Sequence, residues 1–159
     1  MTNFNIQIKT NPIVYSKTAL FLSSAYCKGN MGLNKKVLNQ NNTGTYFENI
    51  IKNNLNNVVS LSKYKRIDGS TYTPDIETNK SVISCKVQET KGTAWQKLVL
   101  EALDLEYLTT QTNKKVVLLC SDYSWITYFY KVKPYLNKII GKIEICTESY
   151  FLQNIKNYD

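Results

Sequence analysis

The sequence predicts a single α/β domain in which helices flank a mixed central sheet. Three observations carry that expectation. The chain has 159 residues, 43% of them hydrophobic and 12% aromatic, enough for one real core and too few residues for a second independently folded unit. Helical and strand-like patterns follow one another across residues 44–120 in the order α-β-β-β-α-β, with a further α, β and α after them. Lys115–Cys120 is continuously apolar, the pattern of a strand covered on both faces.

The elements are expected as follows. Residues 1–43 read as an N-terminal appendage, with a strand-like alternation over 4–8, a short helical pattern over 16–26 and a polar loop over 28–42. Gly44-Thr45 opens a helix, because Tyr46, Phe47, Ile50, Ile51 and Leu55 recur at three- and four-residue spacing. Strand-like runs over 58–67, 71–76 and 82–88 are separated by Asp68-Gly69-Ser70 and Glu77-Thr78-Asn79-Lys80, which reads as an antiparallel meander. Thr93 is the expected N-cap of a helix running to Leu108. A helix over 123–138, ending near Pro134 or reforming after it, precedes a short strand over 142–146 and a last helix from Thr147 or Glu148.

Composition removes several function classes. The chain contains no histidine, so it cannot hold a Ser-His-Asp or Cys-His pair, an HExxH zinc site or any nuclease centre built on a histidine. Its six glycines form neither a P-loop nor a GxGxxG fingerprint. Cys27, Cys85, Cys120 and Cys146 lack CxxC spacing and read as free, buried thiols of a reducing compartment. No apolar stretch is long enough to span a bilayer, and Ala19-Leu20-Phe21-Leu22 is too short and too late for a signal peptide. An intracellular location without membrane association is therefore expected, cytoplasmic or, for a phage-encoded chain, inside the host. The formal charge of +8 favours a polyanionic partner, nucleic acid first. Nineteen of the twenty basic residues are lysine, a bias that AT-rich coding also produces, so lysine number alone decides little.

Any catalysis must then rest on carboxylates and lysines. Along the third strand-like run Ser84, Lys86 and Gln88 share one face, and Ile83, Cys85 and Val87 the other. A lysine in such a strand is costly without a partner, and Asp75, after Pro74 on the neighbouring strand, is the nearest candidate. These pieces resemble the PD-(D/E)xK nuclease superfamily, the fold of many type II restriction endonucleases, Holliday-junction resolvases and some homing endonucleases. The match comprises Pro74-Asp75, Lys86, the preceding helix with Glu48, and a following helix and strand in the family order, over about residues 44–120. It implies a restriction-endonuclease-like core and a magnesium-dependent DNA endonuclease, with manganese as a substitute ion.

The chain departs from the family pattern at one position: Ser84 stands where an acidic residue is expected two before the lysine. Either the literal Glu89-Thr90-Lys91 supplies the motif, or the carboxylate comes from the next helix, as in a restriction-enzyme subgroup with a serine on the strand. Glu101, fifteen residues after Lys86, is close to that subgroup's spacing. A helical projection at about 100° per residue points the same way, setting Glu101 between Leu105 and Leu108 and near Leu98 in an apolar stripe. An inward glutamate needs an ion, a hydrogen-bond partner or a lysine, and Lys97 one turn earlier is an alternative partner.

The resemblance implies Asp75 and Glu101 as metal ligands, with Glu48 as a further carboxylate or else a surface acid. It gives Lys86 the task of orienting water and countering developing charge. The run Gly92-Thr93-Ala94-Trp95-Gln96-Lys97 also resembles small phage and restriction-type members of the superfamily, which makes Gln88, Gln96 and Lys97 candidate neighbours of the site; a solvated Gln96 is the alternative. Lys63, Lys65 and Arg66, interleaved with Tyr64, form the densest basic and aromatic patch, and with Lys91 they are the expected DNA contacts, each alternatively a solvated face. A homodimer is expected if the chain makes double-strand breaks. The rival expectations are a catalytically inactive nuclease fold kept for DNA binding, and a junction resolvase.

Overall fold

The computed structural model describes Lys9, residues 40–88 and residues 92–159. In chain order these form helix α1 (Gln40–Asn53), strands β1 (Tyr64–Lys65), β2 (Thr71–Tyr72), β3 (Ile76–Glu77) and β4 (Ser81–Lys86), and helix α2 (Ala94–Leu108). Strand β5 (Lys115–Cys120), helix α3 (Asp122–Thr127), a 3-10 turn at Phe129–Val132 and helix α4 (Lys133–Ile139) follow. The chain closes with β6 (Glu144–Thr147), α5 (Glu148–Gln153) and a 3-10 turn at Ile155–Asn157. The expected strand pattern of 4–8, helix of 16–26 and loop over 28–39 lie outside the described residues, as do Cys27, Glu89, Thr90 and Lys91.

The sheet is mixed, in the order β3-β4-β5-β6. β3 runs antiparallel to β4, and β4, β5 and β6 run parallel to one another. Alternation along the two central strands divides the core. Ile83, Cys85, Val117 and Leu119 face α1 and the C-terminal segment, where Phe47, Ile51, Phe151 and Tyr158 cover them. Val82, Val116, Leu118 and Cys120 face the other way, under Leu98, Ala102, Leu105 and Leu108 of α2 together with Trp125, Phe129, Val132 and Leu136. Burial of both sheet faces is what the unbroken apolar run of β5 requires. Cys85, Cys120 and Cys146 are free and buried, as their apolar runs lead one to expect. Among the described residues no helix is long and apolar enough to cross a membrane.

Several boundaries differ from expectation, each for a local reason. α1 begins at Gln40 and takes in residues expected to be loop. The run 58–67 is a strand only at Tyr64–Lys65, with a lone bridge from Val58 to Thr78. There the Ser62 N–H donates to the Glu77 carboxylate, so the segment is held by a side chain in place of a ladder. The run 71–76 splits at Pro74, whose ring nitrogen has no proton to give a sheet. β2 pairs with β1, β3 pairs with β4, and Asp75 stands just before β3 instead of ending the second strand. The third run stops being a strand at Lys86, short of Gln88. The expected helix over 123–138 breaks at Tyr128, and Pro134 falls in the first turn of α4, where a missing N–H costs nothing. β6 starts only at Glu144, because the N–H groups of Lys142 and Ile143 are taken by the Glu106 carboxylate. Thr93 precedes α2, but its hydroxyl makes no capping hydrogen bond.

Candidate active site

Strand alternation puts Ser84 and Lys86 on the α2 side of β4, and the apolar stripe of α2 carries Glu101 to the same place. Leu98, Ala102, Leu105 and Leu108 are buried against the sheet, so Glu101 among them must point inward as well. The Ser84 hydroxyl donates to Glu101 Oε1 at 2.7 Å and lies 3.3 Å from Asp75 Oδ2. Lys86 Nζ is 3.3 Å from Glu101 Oε1 and 3.9 Å from Asp75 Oδ2. Asp75 is fixed from behind, because the Cys85 N–H donates to its Oδ2 at 2.7 Å and its own N–H donates to the Ile83 carbonyl at 3.2 Å. Two carboxylates from different elements thus meet across one hydroxyl and share one ammonium.

Exposure grades the cluster. The Lys86 and Asp75 side chains keep 31% and 27% of their surface and are reachable from solvent, whereas Glu101 keeps 14%. Burial pushes the Glu101 carboxyl upward, but Lys86, Ser84 and Tyr72 outweigh it and hold the group below the usual glutamate value, so it is ionised at neutral pH. Burial, aided by the Asp75 and Glu48 charges, keeps the Cys85 thiol well above its ordinary value, which leaves it a neutral wall. Burial and Glu101 raise the Tyr72 phenol far above its ordinary value, so it remains a donor.

The donor set suits a hard divalent cation. All hydrogen bonds and ion pairs to Asp75 from described residues fall on Oδ2, and all those to Glu101 on Oε1. Asp75 Oδ1 and Glu101 Oε2 therefore have no such partner among the described residues and are the atoms that could face a cation, and two carboxylates against one ammonium leave a net negative charge. Among the described residues no group of three His, Cys, Asp or Glu side chains converges, so water and substrate oxygens would have to complete such a shell.

The other expected site residues are placed as follows. Glu48 lies on α1, against the opposite face of the sheet, and pairs with Lys52 at 3.9 Å. Burial and the Asp75 charge raise its carboxyl above the ordinary value. The Gln88 main chain is pinned by Ser124, whose Oγ accepts from the Gln88 N–H at 2.7 Å and donates to its carbonyl at 3.0 Å, while Gln88 Nε2 points to the Gly92 carbonyl at 3.5 Å. Gln96 and Lys97 are exposed on α2. Among the described residues Glu101 pairs with Lys86, and Lys97 forms no ion pair with it. Lys63 and Lys65 are exposed. Arg66 is engaged instead: its guanidinium pairs with Asp104 at 2.5 Å and stacks over the Tyr72 ring at 4.8 Å.

Tyr72 is the member that the sequence reading missed. Its hydroxyl donates to Glu101 Oε1 at 3.0 Å. The available signal was modest: a tyrosine ring at an inward strand position needs a partner for its hydroxyl, and the nearest inward acceptor was already a candidate. A second charged cluster was also missed. Glu77, fully buried, accepts from Lys114 Nζ at 2.7 Å, Ser62 N–H at 2.7 Å and Tyr64 OH at 3.0 Å, and it ties the 58–65 segment to the sheet. No family model, curated protein or solved structure matches the chain.

Proposed function

We propose that the chain is a magnesium-dependent endodeoxyribonuclease of restriction-endonuclease-like architecture, with Asp75, Lys86 and Glu101 at its centre and manganese as a substitute ion. The supporting observation is the meeting of two carboxylates and one lysine at the solvent-reachable end of β4, each carboxylate with one oxygen tethered inside the protein and one left over. In this reading Asp75 and Glu101 would hold the ion, which when bound would polarise a phosphodiester and acidify a water. Lys86 directs its ammonium toward the scissile phosphate and offsets the negative charge that grows there, a task that needs no histidine. Ser84 does not ligate. It spans the two carboxylates and keeps Glu101 aimed at the strand.

DNA approaches from the side on which Lys63 and Lys65 are exposed, while Arg66 is committed to Asp104 and serves the scaffold. Lys91, which lies outside the described residues, is counted in this proposal as a further contact, and a homodimer would provide the two sites that a double-strand break needs.

The test is incubation of the full chain with supercoiled plasmid and with a synthetic four-way junction, in magnesium, in manganese and in excess EDTA. Nicked or linear plasmid with either metal and none in EDTA is the expected result. Cleavage confined to the junction identifies a resolvase. DNA binding without cleavage in either metal overturns the enzyme reading in favour of an inactive nuclease fold, for which the internally satisfied Glu101 Oε1 would be the structural basis.

A further inference from the structure

The β1–β2 hairpin is strapped along α2 at three successive points. Tyr72 OH reaches Glu101, Arg66 pairs with Asp104 one turn later, and the Lys65 main chain exchanges two hydrogen bonds of 2.8 Å with the Gln111 side chain beyond the helix end. The Ile67 N–H adds a bond to Asp104 Oδ1 at 3.3 Å. The turn between the strands is set by Gly69, whose φ of 83° suits glycine, and by Asp68, which accepts from the Ser70 N–H at 2.9 Å. The Tyr72 ring is buried, with the Arg66 guanidinium stacked over it. The hydroxyl sits between the Glu101 carboxylate and the Ser84 hydroxyl.

We infer that Tyr72 is a positioning residue for Glu101: its hydroxyl fixes which carboxylate oxygen faces the protein and thereby leaves the other to the ion, with Arg66 and Asp104 holding the ring in place. The inference rests on the nuclease reading above and adds a function for the hairpin. Three donors, from Ser84, Lys86 and Tyr72, converge on Oε1. Ser84 and Lys86 both come from β4, so Tyr72 is the donor that approaches from the hairpin side and limits rotation of the carboxylate about its last bond. A carboxylate free to rotate would share Lys86 between its two oxygens and present the ion with a disordered ligand. Outer partners of metal ligands commonly act in this way, and their loss costs about ten- to a hundredfold in metal affinity or activity.

Tyr72→Phe tests this, because it removes one oxygen and keeps the ring beneath Arg66. Two quantities are measured on the full chain: manganese binding without DNA, from the paramagnetic resonance of the free ion, and the magnesium dependence of plasmid cleavage. The variant should bind manganese roughly ten- to a hundredfold more weakly and need correspondingly more magnesium for half-maximal rate. Its KM for DNA should be unchanged and its rate should recover at saturating magnesium, as should its melting temperature match the parent within experimental error. Manganese affinity equal to that of the unaltered protein overturns the inference. So does a rate that stays low at saturating magnesium, which would mark Tyr72 as a support for the site as a whole. If the unaltered protein itself neither binds manganese nor cleaves, the nuclease reading falls and this inference with it, whereas an active parent with an indifferent Tyr72→Phe removes the positioning role alone.

Discussion

Ser84 Oγ lies 2.7 Å from Glu101 Oε1, so the hydroxyl on the strand hands a hydrogen bond to a carboxylate on the following helix. The same oxygen is 3.3 Å from Asp75 Oδ2. A serine at this position leaves space that an aspartate or glutamate would fill, and Glu101 enters it from α2. The short strand hydroxyl and the inward glutamate are thus two halves of one arrangement, joined by that hydrogen bond.

Lys86→Met should abolish cleavage. The methionine keeps an unbranched chain against Ser84 and Glu101 but carries no charge, and loss of a single charge-stabilising donor of this kind typically costs about 10²–10³ in rate. Plasmid cleavage in magnesium and DNA affinity by fluorescence anisotropy check it together. Affinity should stay within several-fold of the parent, about 1 kcal/mol at most, because Lys86 is one cation among many. Full activity in a folded variant would remove the central claim.

Glu101→Gln should be nearly inactive while Glu89→Gln stays active. The amide oxygen can still accept from the Ser84 hydroxyl, but the charge assigned to the ion in the proposed function is lost. Ser84→Glu in the Glu101→Gln background would return a carboxylate to the same strand face and should recover a fraction of the rate. The opposite pattern in the single variants, with Glu89 essential and Glu101 dispensable, would shift the site to Glu89-Thr90-Lys91.

Asp75→Asn should eliminate metal-dependent turnover and weaken magnesium or manganese binding in calorimetry. Its fold should survive, because the asparagine amide oxygen can still accept from the Cys85 N–H. Unchanged ion affinity together with unchanged activity would show that Asp75 only anchors β4.

Glu77, outside the candidate site, should contribute to the acid sensitivity of the fold. Burial pushes its carboxyl upward, but Lys114 and the Ser62 and Tyr64 donors outweigh that and hold it below the ordinary value of 4.5. A depressed folded value means that the stabilisation is fully present above the unfolded value and is lost as pH falls through the folded one. Urea unfolding at pH 7 and below pH 4.5 should therefore show a steeper loss for the parent than for Glu77→Gln. Glu77→Ala, which leaves the Lys114 ammonium only the Thr78 carbonyl, should cost about 2–4 kcal/mol at pH 7. Equal acid sensitivity of Glu77→Gln and the parent would assign the acid limb to other carboxylates.

The sequence by itself determined the class of the fold, the length and inward face of α2, the doubly covered β5, and the facing of Ser84 and Lys86. Each of these is written in local periodicity, because a residue's face on a helix or strand follows from its position alone. It also marked Lys86 and Glu101 as charges at inward positions in need of a partner and Asp75 as the nearest partner for the lysine, while a family resemblance alone joined the three as one expected site. Tertiary structure alone decided which partner each would take. Glu101 paired with Lys86 across elements, leaving Lys97 exposed one turn earlier on the same helix. Arg66 went to Asp104 and the Tyr72 ring, away from the solvated basic patch in which its sequence neighbours lie. The strand breaks at Ser62 and Pro74 and the late start of β6 were likewise settled by distant carboxylates, Glu77 and Glu106, and by which ladder had a donor to give. Spacing along a chain fixes the direction of a side chain, but the group it meets depends on the packing of whole elements, and in this cluster that packing joins one strand, one helix and one hairpin.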